Sequence, residues 1–161
     1  MIVSESQIRD CKLGEDVSIV NPVNMYECIV GPFTQIGPFV EIQKDAVIGA
    51  HCKIQSHTII WSKVFIGHYC FIGHGVIFTN DTFANGSPNP DPNSWKATFI
   101  DSHVTIGSGV TLLPVNICSN VTIGAGAVVT KDITKSGIYI GNPAKLYKSL
   151  PWVYLLFFLM L

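Results

Sequence analysis

Five histidines, His51, His57, His68, His74 and His103, are the side chains in this chain best suited to proton or metal chemistry. Zinc needs three or four ligands converging on one point. His51 precedes His68 by 17 residues and His57 precedes His74 by 17, which gives two pairs with no third ligand in either. Metal is therefore the less favoured use. His74 is different because it lies in the run Gly73-His-Gly-Val-Ile-Phe-Thr-Asn-Asp81, just before a stretch dense in Pro and Asn. An imidazole that titrates near neutrality can take a proton from an attacking amine, and the bland alternative is a solvated turn histidine. His51, His68 and His103 read as surface turn residues.

A second group lies later in the chain. Val121-Thr-Ile-Gly-Ala-Gly-Ala-Val-Val-Thr130 is followed by Lys131, Asp132 and then Gly141-Asn-Pro-Ala-Lys145. Small side chains leave backbone open to an extended ligand, and Lys131 and Lys145 can meet phosphates. The cysteines, Cys11, Cys28, Cys52, Cys70 and Cys118, are odd in number and lack the spacing of a disulfide framework. Cys52 and Cys70 read as core thiols, and Cys118 has no visible base partner.

These residues are positioned by a strict period of six. Val30, Ile36, Ile42, Ile48, Ile54, Ile60, Ile66, Ile72 and Phe78 recur without a break. Four places after each of the first eight stands a small or β-branched residue: Thr34, Val40, Ala46, Cys52, Thr58, Val64, Cys70 and Val76. Helices repeat at 3.6 and strands at 2, so the period predicts an all-β hexapeptide solenoid with about 18 residues to each triangular turn. Leu13, Ile19 and Met25 keep the period in a shifted frame, and Met25 to Val30 loses one residue. An irregular first turn, with an outward bulge, is expected there.

From Asn80 to Ala97 the period vanishes into an insertion rich in Pro, Asn, Asp and Gly. Trp95 within it argues for an ordered loop lying over a site. The frame resumes at Ile100, Ile106 and Leu112, slips by one before Ile117, and continues through Ile123 and Val129. The expected organisation is a β-helix over 1–134, with the loop at about 80–98, and a C-terminal segment over 135–161.

Composition bounds the rest. Charged residues make up 13%, hydrophobic residues 48%, and the net charge is −1, so no nucleic-acid footprint is present. The opening residues carry Glu5, Arg9, Asp10 and Lys12 without an apolar run, and a cytoplasmic location is expected. Leu150 to Leu161 is almost wholly apolar but falls short of the about 20 residues of a membrane span. A tail packed on the protein is the expectation, with weak membrane contact the lesser one.

Over roughly residues 13–147 the chain resembles hexapeptide-repeat acetyltransferases that use acetyl-coenzyme A. Cys52-Lys-Ile-Gln, Gly75-Val-Ile-Phe-Thr-Asn-Asp81, Leu112-Leu-Pro-Val115 and the Ile-Gly-Ala-Gly-Ala-Val-Val-Thr-Lys-Asp run ending at Asp132 are similar to segments of nucleotide-linked amino-sugar N-acetyltransferases, above all those acting on dTDP-3-amino-3,6-dideoxyhexoses. The resemblance implies a left-handed parallel β-helix, a homotrimer with each active site between two subunits, and a place in surface-polysaccharide synthesis such as O-antigen or S-layer glycan. It assigns Gly107, Ser108, Ala125, Thr130, Lys131, Pro143 and Lys145 to coenzyme A, and Asn80 and Asp81 to the sugar. His57 and Trp95 join the acceptor side. His74 and Asn80 are expected at the reacting amine, with no metal, and either His74 or the departing thiolate takes the proton. Other small-acceptor O- or N-acetyltransferases, and a metal-dependent hydratase of the β-helical carbonic anhydrase type, remain as alternatives.

Overall fold

The computed structural model describes residues 7–150. The backbone forms very short parallel strands that wind around one axis in about seven turns, as a left-handed β-helix. Three flat sheets make its sides. Sheet A contains β1 (Ile8–Arg9), β4 (Asn24–Tyr26), β7 (Glu41–Ile42), β10 (Ile59–Ile60), β13 (Ile77–Phe78), β16 (Thr111–Leu112) and β19 (Val128–Val129). Sheet B contains β2 (Lys12–Leu13), β5 (Ile29–Val30), β8 (Val47–Ile48), β11 (Val64–Ile66), β14 (Thr98–Ile100) and β17 (Asn116–Ile117). Sheet C contains β3 (Ser18–Ile19), β6 (Gln35–Ile36), β9 (Lys53–Ile54), β12 (Phe71–Ile72), β15 (Thr105–Ile106), β18 (Val121–Ile123), β20 (Gly137–Ile140) and β21 (Lys145–Lys148), the last pair antiparallel.

The period of six is the physical cause. Its large aliphatics point into the axis: Ile36, Ile42, Ile48, Ile54, Ile60 and Ile72 are at most 1% exposed. Each such side chain contributes about 1.5–3 kcal/mol by leaving water. The small residues four places on, from Thr34 to Val76, are buried as well, because the corners leave no room for more. Two of them carry hydroxyls, and these donate to backbone of the next turn: Thr34 to the Gly49 carbonyl and Thr58 to the Gly73 carbonyl, each at 2.8 Å. The core thiols Cys52 and Cys70 do the same, toward Gly67 and Asp101.

The residue before each small one has a positive φ. Phe33, Phe39, Asp45, His51, His57, Lys63, Tyr69 and Gly75 form this series, with φ between 56° and 63°. A left-handed conformation is costly for a side chain with a Cβ, and stacking across turns offsets the cost. Phe33, His51, Tyr69 and His103 form one continuous ladder with ring centroids 4.8–5.2 Å apart.

The expected bulge in the first turn is absent, since β1, β2 and β3 each pair in register with the strand 17 residues later. The missing residue is absorbed at the corner between sheets A and B. The slip before Ile117 falls at that same corner, between β16 and β17, and so does the long insertion, which leaves after β13 and returns at β14. The lost residues and the insertion are thus confined to one edge, which leaves the register of sheet A and the residue spacing at the corner between C and A unbroken through β19. The apolar tail lies outside the described residues, apart from Leu150. Among the described residues no helix is long and apolar enough to cross a membrane.

Candidate active site

The inserted loop is ordered by its own polar groups. Asp81 accepts from the Phe83 N–H at 2.9 Å with one carboxylate oxygen and from the Asn89 N–H at 2.7 Å with the other. Asn89 Oδ1 accepts from Asp91 N–H, and Asp91 Oδ1 from Asn93 N–H, capping a 3₁₀ turn at Pro92–Ser94. Trp95 donates its indole N–H to the Asn89 carbonyl at 3.1 Å. Lys63 ties this assembly to the solenoid. Its ammonium reaches three loop carbonyls, those of Pro92 at 2.9 Å, Trp95 at 3.2 Å and Asn93 at 3.4 Å, which matches the three protons it has to donate.

At the neck of the loop Asn80 is only 7% exposed. Its amide nitrogen donates to the buried Ser62 hydroxyl one turn below, at 3.1 Å, and its backbone carbonyl accepts from Lys96 N–H. Its side-chain oxygen takes no hydrogen bond from the described residues and remains available. Asn80, Asp81, Thr82, Asn89, Trp95 and Lys96 contribute to a cavity of about 240 Å³ inside the loop. That is below the roughly 300 Å³ where sites for drug-sized ligands begin, so it suits part of a ligand. Asn80, Asp81 and Trp95, singled out from the sequence for the acceptor, therefore do converge. Asp81 is already occupied by backbone N–H groups, so it shapes the cavity.

His74 is elsewhere. It is exposed on the corner between sheets C and A, at the far end of the strand from the loop neck. Six residues separate it from Asn80, on the order of 15–20 Å of extended chain, and it is not among the residues lining the cavity. Within one subunit the loop does not cover it. Its backbone N–H donates to Ser108 Oγ at 3.3 Å and its carbonyl accepts from Gly109 N–H, so Ser108 stacks on it in the next turn. Ala125 stacks on Ser108 in turn, through Gly126 N–H and the Ser108 carbonyl. Beyond it, Val128 N–H donates to Gly141 O, and Ala144 N–H to Val128 O, which lays the turn carrying Pro143 and the start of β21 at Lys145 along the same edge.

This C–A edge changes character partway up. In its lower turns the left-handed position holds Phe39 and His57, stacked at 4.8 Å. In the next three turns it holds Gly75, Gly109 and Gly126. A Cβ built at any of the three would meet nothing within 4 Å, so crowding does not demand glycine there; the positive φ favours it without requiring it, as Phe39 and His57 adopt φ of 61° and 63° at the same place. What glycine achieves is a bare backbone shelf beginning at His74. Gly107 beside it is different, because a Cβ there would lie 2.6 Å from Ala125 N. Five residues assigned to coenzyme A from the resemblance (Gly107, Ser108, Ala125, Pro143 and Lys145) lie along this edge with His57 and His74, over about 19 Å at the usual spacing of roughly 4.8 Å per strand.

Thr130 and Lys131 follow β19 at the opposite end of sheet A, on the loop's side, and both are exposed. Asp132 is a structural tie there. It accepts from Asn116 N–H at 2.8 Å and from the Asn116 side chain at 3.0 Å, which holds its carboxyl below the usual range. Among the described residues no group of three metal-ligating side chains comes together. Lys63 and Ser62, which position the loop and Asn80, went unnoticed in the sequence. The only signal was their place one solenoid turn before the insertion.

Residues 27–60 match the bacterial transferase hexapeptide model (six repeats). Solved structures superpose along nearly the whole chain. AntD, an N-acyltransferase from Bacillus cereus determined with dTDP and coenzyme A, aligns with a TM-score of 0.75 at 20% identity, covering 92% of this chain and 89% of that one. The fold is the hexapeptide-repeat β-helix. PerB from Caulobacter crescentus, in complex with coenzyme A and GDP-perosamine, shares the hexapeptide-repeat helix with a TM-score of 0.58 at 20% identity, over 88% of this chain and 57% of its own. A hexapeptide-repeat acetyltransferase from Vibrio cholerae O1 biovar eltor, complexed with acetyl-coenzyme A, aligns at 0.59 and 22% identity over 79% and 70%. No curated protein sequence matches the chain significantly.

Proposed function

We propose that this protein is an N-acetyltransferase that moves the acetyl group of acetyl-coenzyme A to the amino group of a nucleotide-linked sugar, a dTDP-3-amino-3,6-dideoxyhexose being the specific acceptor. The observation that carries the reading is the bare edge running from His74 past Ser108 and Ala125 to Pro143 and Lys145. An extended thioester-bearing arm fits such an edge, since exposed backbone offers it hydrogen bonds and Lys145 a charge for its phosphates. The structural neighbours crystallised with coenzyme A and nucleotides or nucleotide sugars support the same direction.

The chemistry is direct transfer. The neutral sugar amine attacks the thioester carbonyl, forming the C–N bond and a tetrahedral oxyanion; the oxyanion collapses by breaking the C–S bond, and the amine proton leaves to His74 or to the departing thiolate. Backbone N–H groups on the edge would stabilise the oxyanion, and positioning supplies much of the rate. A nucleophilic cysteine is not needed, which accords with the burial of Cys28, Cys52 and Cys70.

Because His74 and the loop cavity stand at opposite corners of one subunit, the reading needs a second copy whose loop covers the C–A edge of its neighbour, and the homotrimer that the resemblance implies would supply it. Acetyl-coenzyme A and an activated sugar would place the reaction in the cytoplasm, as a late step before glycan assembly. The test is thiol release from acetyl-coenzyme A with a panel of dTDP- and UDP-linked amino sugars and their hydroxyl counterparts. Acetylation of amino sugars alone is the expected result. Transfer only to hydroxyl acceptors, or no release with any acceptor by a protein that light scattering shows to be trimeric, would overturn the assignment.

A further inference from the structure

Cys11 and Cys28 face each other across the first two turns. Their sulfur atoms are 3.4 Å apart. They are opposed because Lys12 pairs with Ile29 in parallel register, and the Lys12 N–H donates to the Cys28 carbonyl at 2.9 Å. Adjacent parallel strands lie about 4.8 Å apart, within the roughly 4.4–6.8 Å Cα separation that a disulfide spans. Closing the sulfurs to about 2.05 Å asks only for side-chain rotation. One thiol is accessible and the other is not: Cys11 is half-buried, whereas Cys28 is 1% exposed.

We propose that Cys11 and Cys28 are an oxidisable pair, converted by a small disulfide such as oxidised glutathione into a covalent staple between the first and second turns. Cys11, as thiolate, attacks one sulfur of oxidised glutathione. That S–S bond breaks, one glutathione leaves and takes up a proton, and a mixed disulfide remains on Cys11. Cys28 then loses its proton and attacks Cys11 Sγ, expelling the second glutathione. Two protein thiols are oxidised to one disulfide, and one glutathione disulfide is reduced to two thiols. Burial, with the adjacent Cys11, pushes the Cys28 thiol up to about 12, so Cys28 rests as the thiol and the second step is the slow one.

The other stacked pair is an internal contrast. Cys52 and Cys70 occupy the same kind of inward position one turn apart, but both are at most 2% exposed; they donate to backbone carbonyls, Gly67 at 3.1 Å and Asp101 at 3.2 Å, as Cys11 does to Arg9 at 3.3 Å, so burial is what sets them apart. No oxidant reaches them. Among the described residues the turn of Cys11 pairs with a neighbour on one side only, so the staple acts where the solenoid is least supported.

The experiment is titration of the full-length protein with oxidised glutathione, followed by alkylation in denaturant and non-reducing peptide mapping. The expected products are a peptide linked through Cys11 and Cys28, alkylatable thiols falling from five to three, and slower hydrogen exchange at Lys12 and Gly14. Cys28→Ser should trap glutathione on Cys11, and Cys11→Ser should take up none at Cys28, any adduct on the half-buried Cys118 being mapped separately. A Cys52–Cys70 link at comparable yield, a glutathione adduct on wild-type Cys11 that never resolves, or no reaction at Cys11 in any variant would each overturn the proposal.

Discussion

Replacing Lys63 by Met removes the ammonium that holds the loop while keeping a chain that lies along the same surface. The three carbonyl contacts, at 2.9, 3.2 and 3.4 Å, are unequal. Hydrogen bonds from a charged donor contribute about 1.5–3 kcal/mol when short. The two longer contacts are weaker, and the contacts to Pro92 and Asn93 are open to water. A net contribution of about 2 kcal/mol to holding the loop down follows. At about 1.4 kcal/mol per tenfold this is roughly a 30-fold shift toward the open loop. Hydrogen exchange reads it directly at the amides of Ser94, Trp95 and Lys96, whose carbonyl partners are Asp91, Pro92 and Asn80. Those three should lose roughly 30-fold protection, while amides in the solenoid, such as Ile59 and Gly73, keep theirs. If the loop amides of Lys63→Met exchange at the wild-type rate, the loop is held by Asp81 and Trp95 alone and the latch has no energetic role. In the enzyme assay the same variant should raise the Michaelis constant for the sugar far more than that for acetyl-coenzyme A.

Lys131→Ala and Lys145→Ala should each raise the acetyl-coenzyme A Michaelis constant more than they lower turnover; steady-state kinetics showing both constants unchanged would remove the lysines from the phosphate site. His74→Gln should lose about 10²-fold in turnover if the imidazole is the base, and a loss under about fivefold would hand the proton to the thiolate. Asp132 has its carboxyl pKa depressed below 3.8 by the Asn116 bonds. Its contribution to stability is therefore present above the unfolded value and lost as pH falls through the lower folded one. Asp132→Asn should flatten the acid dependence of exchange at Ile133, and an unchanged profile would discard the tie. Gly107→Ala must push Ala125 N away from 2.6 Å and should cost about 1–3 kcal/mol of stability, measured by denaturant unfolding, where a neutral effect would mean that the turns part freely.

The period of six was enough to determine the solenoid, because inward side chains from every turn share one axis and a single register satisfies them all. Ile36 through Phe78 point inward as the spacing requires, and Cys52 and Cys70 fill corners as small residues must. Composition likewise marked the insertion, since Pro and Asn in such density cannot continue a strand. What sequence order could not supply was the corner to which each residue belongs. His74 and Asn80 are six apart and read as neighbours, yet one flat strand carries them to opposite edges. Ser108, 34 residues from His74, stacks directly on it through Oγ. Lys63, some 30 residues from the carbonyls it holds, meets them because the loop folds back over the turn below. In a solenoid the register fixes height along the axis, and only the closed triangle decides which side a residue faces.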